Sequence, residues 1–562
     1  MHLVRPAQQS AARVPSSAGN ARLLYQARAS RAGLSTTAVR RAQRNRPVGL
    51  AVDGPWLPRP VVEEKPSSFA PPPKPTPGEH IYVKSVLERA FRLADADAAE
   101  AVVKEKAWEQ SYNKHFVQMA QCLSRSQEAA LQMAREGLAA AHELSRFCRH
   151  SETVSLDTAH ELPSLCAKFG GFTLLDQEIK GTGELESTTQ VQFQRRFYEG
   201  DALEELLQHW ASKGAIEADC IPAVARSSGV DLRGEQVLVM GAVAEVRPME
   251  TLLNRGATVI AVDKRGEPFM WGPICQVASE SAGTMHAPIT PSAVAGIQSC
   301  GGTKARVPES LGCSITEELP ELLQYLNEAI DCERPLTICV LPAGTGQEML
   351  RNSVGCDVLV ENFVKKYEER QSRLPTVAYF SPATAAWALP EAFEADGLAH
   401  LPAYAKLLGL ESNLVQSEAM IADCLLEAQG PEFAMAAQLM AWRALDLSAR
   451  GCPISFHCSP AVRGPQFVQR RRELRNTLTG FGTGLFGQLQ ILNRRTASEV
   501  MSAMLVSDMR RSAEEQAVKS VQDLSREAFH SGFWRMRYRP QSLAPLAAKM
   551  GRVLHLREDL DM

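Results

Sequence analysis

"VLVMGAVAEVRPMETLLNRGATVIAVDKRG", residues 237–266, decides how the rest of the chain is read. An apolar run reaches Gly241, Pro248 opens a stretch with Met249, Leu252 and Leu253 at helical spacing, and a Gly-Ala turn leads to a second apolar run ending in Asp263. The order is strand, turn, helix, strand. In such a unit the glycine lets main chain approach a pyrophosphate whose charge meets the helix N-terminus. An acid about 20 residues on then accepts ribose hydroxyls. Gly241 and Asp263 occupy those two positions.

Outward from this unit, apolar strands alternate with helical stretches. The expected strands are 237–242, 258–263, 283–289, 336–343, 376–382 and 453–459. Near-continuous apolar strands joined by helices predict a sheet covered on both faces, hence a doubly wound parallel α/β sheet with N-terminal and C-terminal helical additions. The organisation reads as a Rossmann-like nucleotide-binding domain over 231–463, a mainly helical region over 82–230 and a C-terminal helical extension over 464–562. Residues 82–150 are expected to form two helices in a hairpin. "VQFQRRFYEGDALEELLQHWASKG" (191–214) reads as one helix ending at Gly214.

At the strand ends the chain resembles the short-chain dehydrogenase/reductase branch of the Rossmann NAD(P)-binding superfamily over roughly residues 232–390. "ICVLPAG" is similar to that family's fourth strand, which implies that Ala343 and Gly344 lie beside the cofactor. "VAYFSPA" is similar to its fifth strand, which implies a catalytic role for Ser381. The resemblance implies NAD or NADP as cofactor, and Lys264 and Arg265 after Asp263 suit the 2'-phosphate of NADP. Two residues and one missing motif depart from the family. Glu245 and Arg247 stand where further glycines belong, Glu245 bringing a negative charge toward the pyrophosphate and Arg247 a compensating cation. The family's Tyr-x-x-x-Lys is missing after Ser381. Tyr404 and Lys406 stand two apart, so on a helix they do not share a face.

Three functions therefore stay open: an NAD(P)-binding oxidoreductase-like protein whose catalysis is diminished, a non-catalytic scaffold of the same fold, and an S-adenosylmethionine-dependent methyltransferase. "AGTGQEML" (343–350) lacks the Gly-Lys-Ser/Thr ending of a P-loop, which argues against NTP hydrolysis. His286 and His457 fall in strand-like segments, where a satisfied buried histidine is the default and a general base the alternative. No metal site is expected. The 13 cysteines include no CxxC, and neither Cys148 with His150 nor Cys452 with His457 and Cys458 offers zinc-finger spacing.

Composition narrows the class. With 562 residues, 45% hydrophobic and 22% charged, the chain suits a large core, and a net charge of −3 offers nucleic acid no global field. No apolar run approaches the roughly 20 residues of a membrane span, so a soluble chain is expected. Residues 1–52 contain no Asp or Glu and many Arg, the composition of an organelle transit peptide, with the mitochondrial matrix as first destination and a plastid as second. A proline-rich linker (53–81) follows. The expected partners are a dinucleotide and, through the helical flanks, another protein; nucleic acid is not expected.

Overall fold

The computed structural model describes residues 81–149, 152–156, 171–266, 268–294, 307–342, 344, 346–394, 400–463, 472–486 and 489–558. The Arg-rich segment and nearly all of the linker lie outside them. Seven strands form the central sheet: β1 (Leu175–Lys180), β2 (Gln236–Met240), β3 (Thr258–Val262), β4 (Thr284–Ile289), β5 (Leu336–Val340), β6 (Thr376–Pro382) and β7 (Ile454–Ser459). Their spatial order is β7-β6-β5-β2-β3-β4-β1. All pairs are parallel except β1 with β4, which run antiparallel with Glu178 opposite His286. The parallel winding thus starts at β2, runs outward through β3 and β4, and returns to the other side of β2 for β5, β6 and β7. This is an α/β fold with a mostly parallel sheet, as the alternation of elements led one to expect.

Because side chains alternate across a strand, each strand feeds two cores. Leu238 and Met240 of β2 join Ile260 and Val262 of β3 on one face. Val237, Val239, Val259 and Ala261 pack on the other. The first face is covered by α1 (Ile81–Phe91), α2 (Ala96–Lys104), α3 (Trp108–Leu123), α4 (Gln127–Glu143), α9 (Leu319–Ala329), α10 (Gln347–Glu369) and α11 (Pro431–Ala449). The second is covered by α5 (Gly200–Ser212), α6 (Cys220–Arg226), α7 (Met249–Asn254), α8 (Pro268–Glu280) and α13 (Arg494–Asp508). Helices α12 (Arg472–Phe481) and α14 (Pro540–Glu558) pack together at the C-terminal end, where a Cβ on Gly480 would meet the Ala547 carbonyl at 1.9 Å.

Two local expectations are corrected. The N-terminal helical stretch holds four helices, because Asp95 and Ser126 each accept a backbone N–H at a new helix start. Residues 191–214 are not one helix. Gln190–Phe193 and Arg196–Glu199 form a hairpin, and α5 begins only at Gly200. The alternation Val191-Gln192-Phe193 suits a strand, and Val191 is buried while Gln190 is exposed.

The N-terminal helices belong to the main core. Gly137 of α4 sits against the Trp442 ring of α11, where an added Cβ would come within 2.3 Å of a ring carbon. Nearby, Arg443 bonds both oxygens of the buried Asp357 at 2.7 and 2.8 Å, and His142 adds a third contact at 2.7 Å. Although burial opposes ionisation, Arg443 holds the Asp357 carboxyl well below its ordinary range. No described helix is long and apolar enough to cross a membrane.

Candidate functional site

In open parallel sheets the natural cleft lies past the carboxyl ends of the strands, where the winding direction reverses. Here that place is between β2 and β5, and a cavity of about 190 Å³ opens there. Its walls come from the turn after β2, the loop after β5, the end of β6 and helix α12, which contributes Leu474 and Leu478. Most of the lining is apolar, and among the described lining residues only Glu245 carries a charge.

Gly241 begins the turn at φ +102°, a conformation that L side chains avoid. The space its Cβ would need is filled by protein, since an added Cβ would lie 2.0 Å from the Leu341 carbonyl oxygen. Glycine therefore allows the turn to pack on the chain leaving β5. Gly344 also has positive φ (+116°), lines the crevice, and would bring a Cβ to 2.8 Å from Glu348 Cγ. Ala343 lies outside the described residues.

Asp263 follows the end of β3 and points at the same turn. Its Oδ2 accepts the Val243 N–H at 2.9 Å and its Oδ1 accepts the Lys264 N–H at 2.8 Å. Burial raises the carboxyl above its ordinary range, and the two amides oppose that shift only in part. Asp263 is not among the crevice-lining residues, whereas Glu245 is. Arg247 does not face a phosphate position in the crevice. Its Nη1 donates to Ala244 O at 2.9 Å and Val243 O at 3.4 Å, and its N–H donates to Ser498 Oγ at 3.1 Å. Helix α7 spans six residues, too short to build a large dipole. Lys264 pairs with Glu348 at 3.0 Å and Arg265 with Glu318 at 2.9 Å.

Ser381 occupies the end of β6, but alternation places it opposite Phe380 and Pro382, which line the crevice. Ser381 is 2% exposed and borders a separate void of about 40 Å³ with Trp387 and Phe456. Tyr404 and Lys406 fall in the short helix Ala403–Leu407, with side chains outside the described set. The fold thus gathers Gly241, Gly344 and the Asp263 backbone turn, and separates Ser381 from them.

The two histidines are partnered. His286 Nδ1 lies 2.7 Å from Asp176 of β1, which raises its pKa. His457 Nε2 lies 2.8 Å from Asp508, and Glu527 completes a buried group whose ligand-type atoms lie within 4.8 Å of one another. Arg511 contacts Asp508 at 3.0 Å and Arg226 contacts Glu527 at 2.9 Å. Those cations neutralise the carboxylates and would repel a metal ion, so the cluster reads as an ion-pair network.

The sequence reading missed a second, larger hollow. A cavity of about 750 Å³ lies on the outer side of the same turn, between residues 185–190 and helices α7, α8 and α13. Arg247, Arg494 and Arg495 line it together with the exposed ring of Phe197. The paired arginines of "NRRTAS" were its one local signal. No family model matches the chain, and no curated protein matches it either.

Proposed function

We propose that the α/β unit is a non-catalytic, Rossmann-like scaffold that keeps the dinucleotide-binding architecture without a dinucleotide. One observation carries this reading: the Asp263 carboxylate accepts the Val243 amide of its own turn. In a cofactor-binding relative, that turn offers amides to pyrophosphate and that acid meets ribose. Here the two satisfy each other, and the Leu341 carbonyl fills the room that Gly241 leaves. Hydride transfer gains no support from the crevice lining, which offers Glu245 as its sole titratable side chain among described residues. The acid-free leader supports placing such a scaffold in an organelle, the mitochondrial matrix first.

The second reading is an NAD(P)-binding crevice. Parallel pairing continues through β7, and Gly241 and Asp263 hold the two expected positions. Thermal shift with NADH, NADPH and S-adenosylmethionine separates the two. It is done on the full chain carrying Arg494→Gln, in which binding at the second cavity is weakened and binding in the crevice is not. The scaffold reading expects no shift with any of the three. A ligand at 100 times its dissociation constant would add about 2.7 kcal/mol to the native state. Such a gain would overturn the scaffold reading in favour of an occupied crevice.

A further inference from the structure

We infer that the cavity beside α7 and α13 binds a nucleoside phosphate group, with Arg247 and Arg494 holding the phosphate and Phe197 stacking on the base. This goes beyond the scaffold reading and concerns a different hollow. At about 750 Å³ the cavity falls within the range of small-molecule sites, which the crevice does not reach.

Its lining carries four arginines and four glutamates, so net charge does not make the argument; pairing does. Arg495 holds Glu499 at 2.8 Å and lies 3.6 Å from Glu250. Glu186 accepts from Asn254 at 3.1 Å, and Glu245 has a partner of its own. Arg255 donates to the Ser227 and Val230 carbonyls and to Thr189 Oγ1. What remains is two cations. Among the described residues, Arg247 has no carboxylate within 4.0 Å, and its Nε and Nη2 make no hydrogen bond. Arg494 makes neither an ion pair nor a side-chain hydrogen bond.

The two guanidinium groups also act on each other. Burial first, and then the charge of Arg494, lowers the Arg247 pKa, and the carboxylates of Asp263 and Glu250 offset that shift only in part, so Arg247 is a partly desolvated cation within electrostatic reach of a second one. A bound phosphate removes that repulsion and gives both forks charge-assisted partners. The Phe197 ring is 57% exposed, and the Arg495 guanidinium lies over it at 5.5 Å. An exposed ring that lines the same cavity as two arginines without an ion-pair partner is the combination that reads a base and its phosphate together.

The source of that group is a free nucleotide or the backbone of a single strand, and the test separates them. Inorganic phosphate, AMP and a fluorescein-labelled fifteen-nucleotide single-stranded RNA are titrated into the full chain at low salt. AMP is expected to bind more tightly than phosphate. Arg247→Gln and Arg494→Gln are each expected to weaken AMP about tenfold, a typical loss for one charge-assisted contact. Phe197→Ala should erase the advantage of AMP over phosphate. RNA binding at least ten times tighter than AMP, with a steep loss on adding salt, assigns the site to a strand; equal affinity assigns it to free nucleotide. Arg494 is exposed at the start of α13, so its variant stays folded even if Arg247→Gln does not. Absence of binding by all three probes, or binding unchanged in Arg494→Gln, overturns the proposal. A dinucleotide that binds Arg494→Gln as tightly as the parent chain would instead speak to the crevice.

Discussion

The crevice above the strand ends and the cavity beside α7 share the turn after β2, yet they treat polar groups in opposite ways. In the crevice, donors and acceptors of the turn are paired within the chain: Val243 N–H with Asp263, and the Ala244 carbonyl with Arg247. In the cavity, two guanidinium groups have no carboxylate at ion-pair distance among the described residues, while every glutamate of the lining has a partner. The lesson is that the position of a hollow in a fold says less about binding than whether its polar groups are already satisfied. Buried groups that find partners internally gain nothing from a ligand, whereas groups left unmatched store a preference for one.

The largest expected effect breaks the crevice side of the comparison. Gly241→Ala forces a side chain into positive φ and against the Leu341 carbonyl. It should cost about 3 kcal/mol or more in urea unfolding, from backbone strain plus overpacking. A loss under about 1 kcal/mol would mean the turn is looser than the close approach implies.

Asp263→Ala comes next, because it strands the Val243 amide; a loss of about 2 kcal/mol is expected from that buried donor left unpaired, the exposed Lys264 amide turning to water. Asp263→Asn should cost less, since the amide oxygen still accepts one of the two. The pH dependence sharpens the point. The folded-state pKa of Asp263 is raised, so the folded state binds the proton more firmly than the unfolded chain. Its contribution is complete below the ordinary carboxylate pKa and is lost as pH rises through the raised value. Stability of the parent chain relative to Asp263→Asn should therefore fall as pH rises from about 4 upward. A rising difference would show that the amide bonds outweigh desolvation.

The smallest effect tests the cavity. Arg494→Gln removes a like charge that acts on Arg247, and without ligand it should leave stability within about 0.5 kcal/mol or raise it slightly. A clear loss would reveal a structural partner for Arg494 and weaken the contrast between the two hollows.

Much of the sheet was legible because buried parallel strands write long apolar runs: β2 to β7 all fall on expected segments. The edge strand β1 was not, since no residue of "LDQEIK" is buried and its polar residues hide the period. The hairpin at Gln190–Glu199 was absorbed into the helix that follows it. Gly241 and Asp263 were placed correctly at the turn and strand end, but the partners of the carboxylate were invisible to a local reading. The arginine pair was hidden for a different reason. Arg247 and Arg494 lie far apart in the chain, and α13 brings them together by packing Val500 and Met504 on the second face of the sheet. Chemistry assembled across such a separation leaves no spacing to read.

Strand β1 also bears on how the protein can be trimmed. It caps β4 with Asp176, Glu178 and Lys180 among its exposed or half-exposed residues, a charged hem that discourages another chain from extending the sheet. An excised fragment starting at Asp231, where the strand-and-helix alternation begins, would lose this hem and uncover the Trp442 surface that α4 protects. Such a fragment would clump rather than fold, so the visible start of the motif is no place to cut.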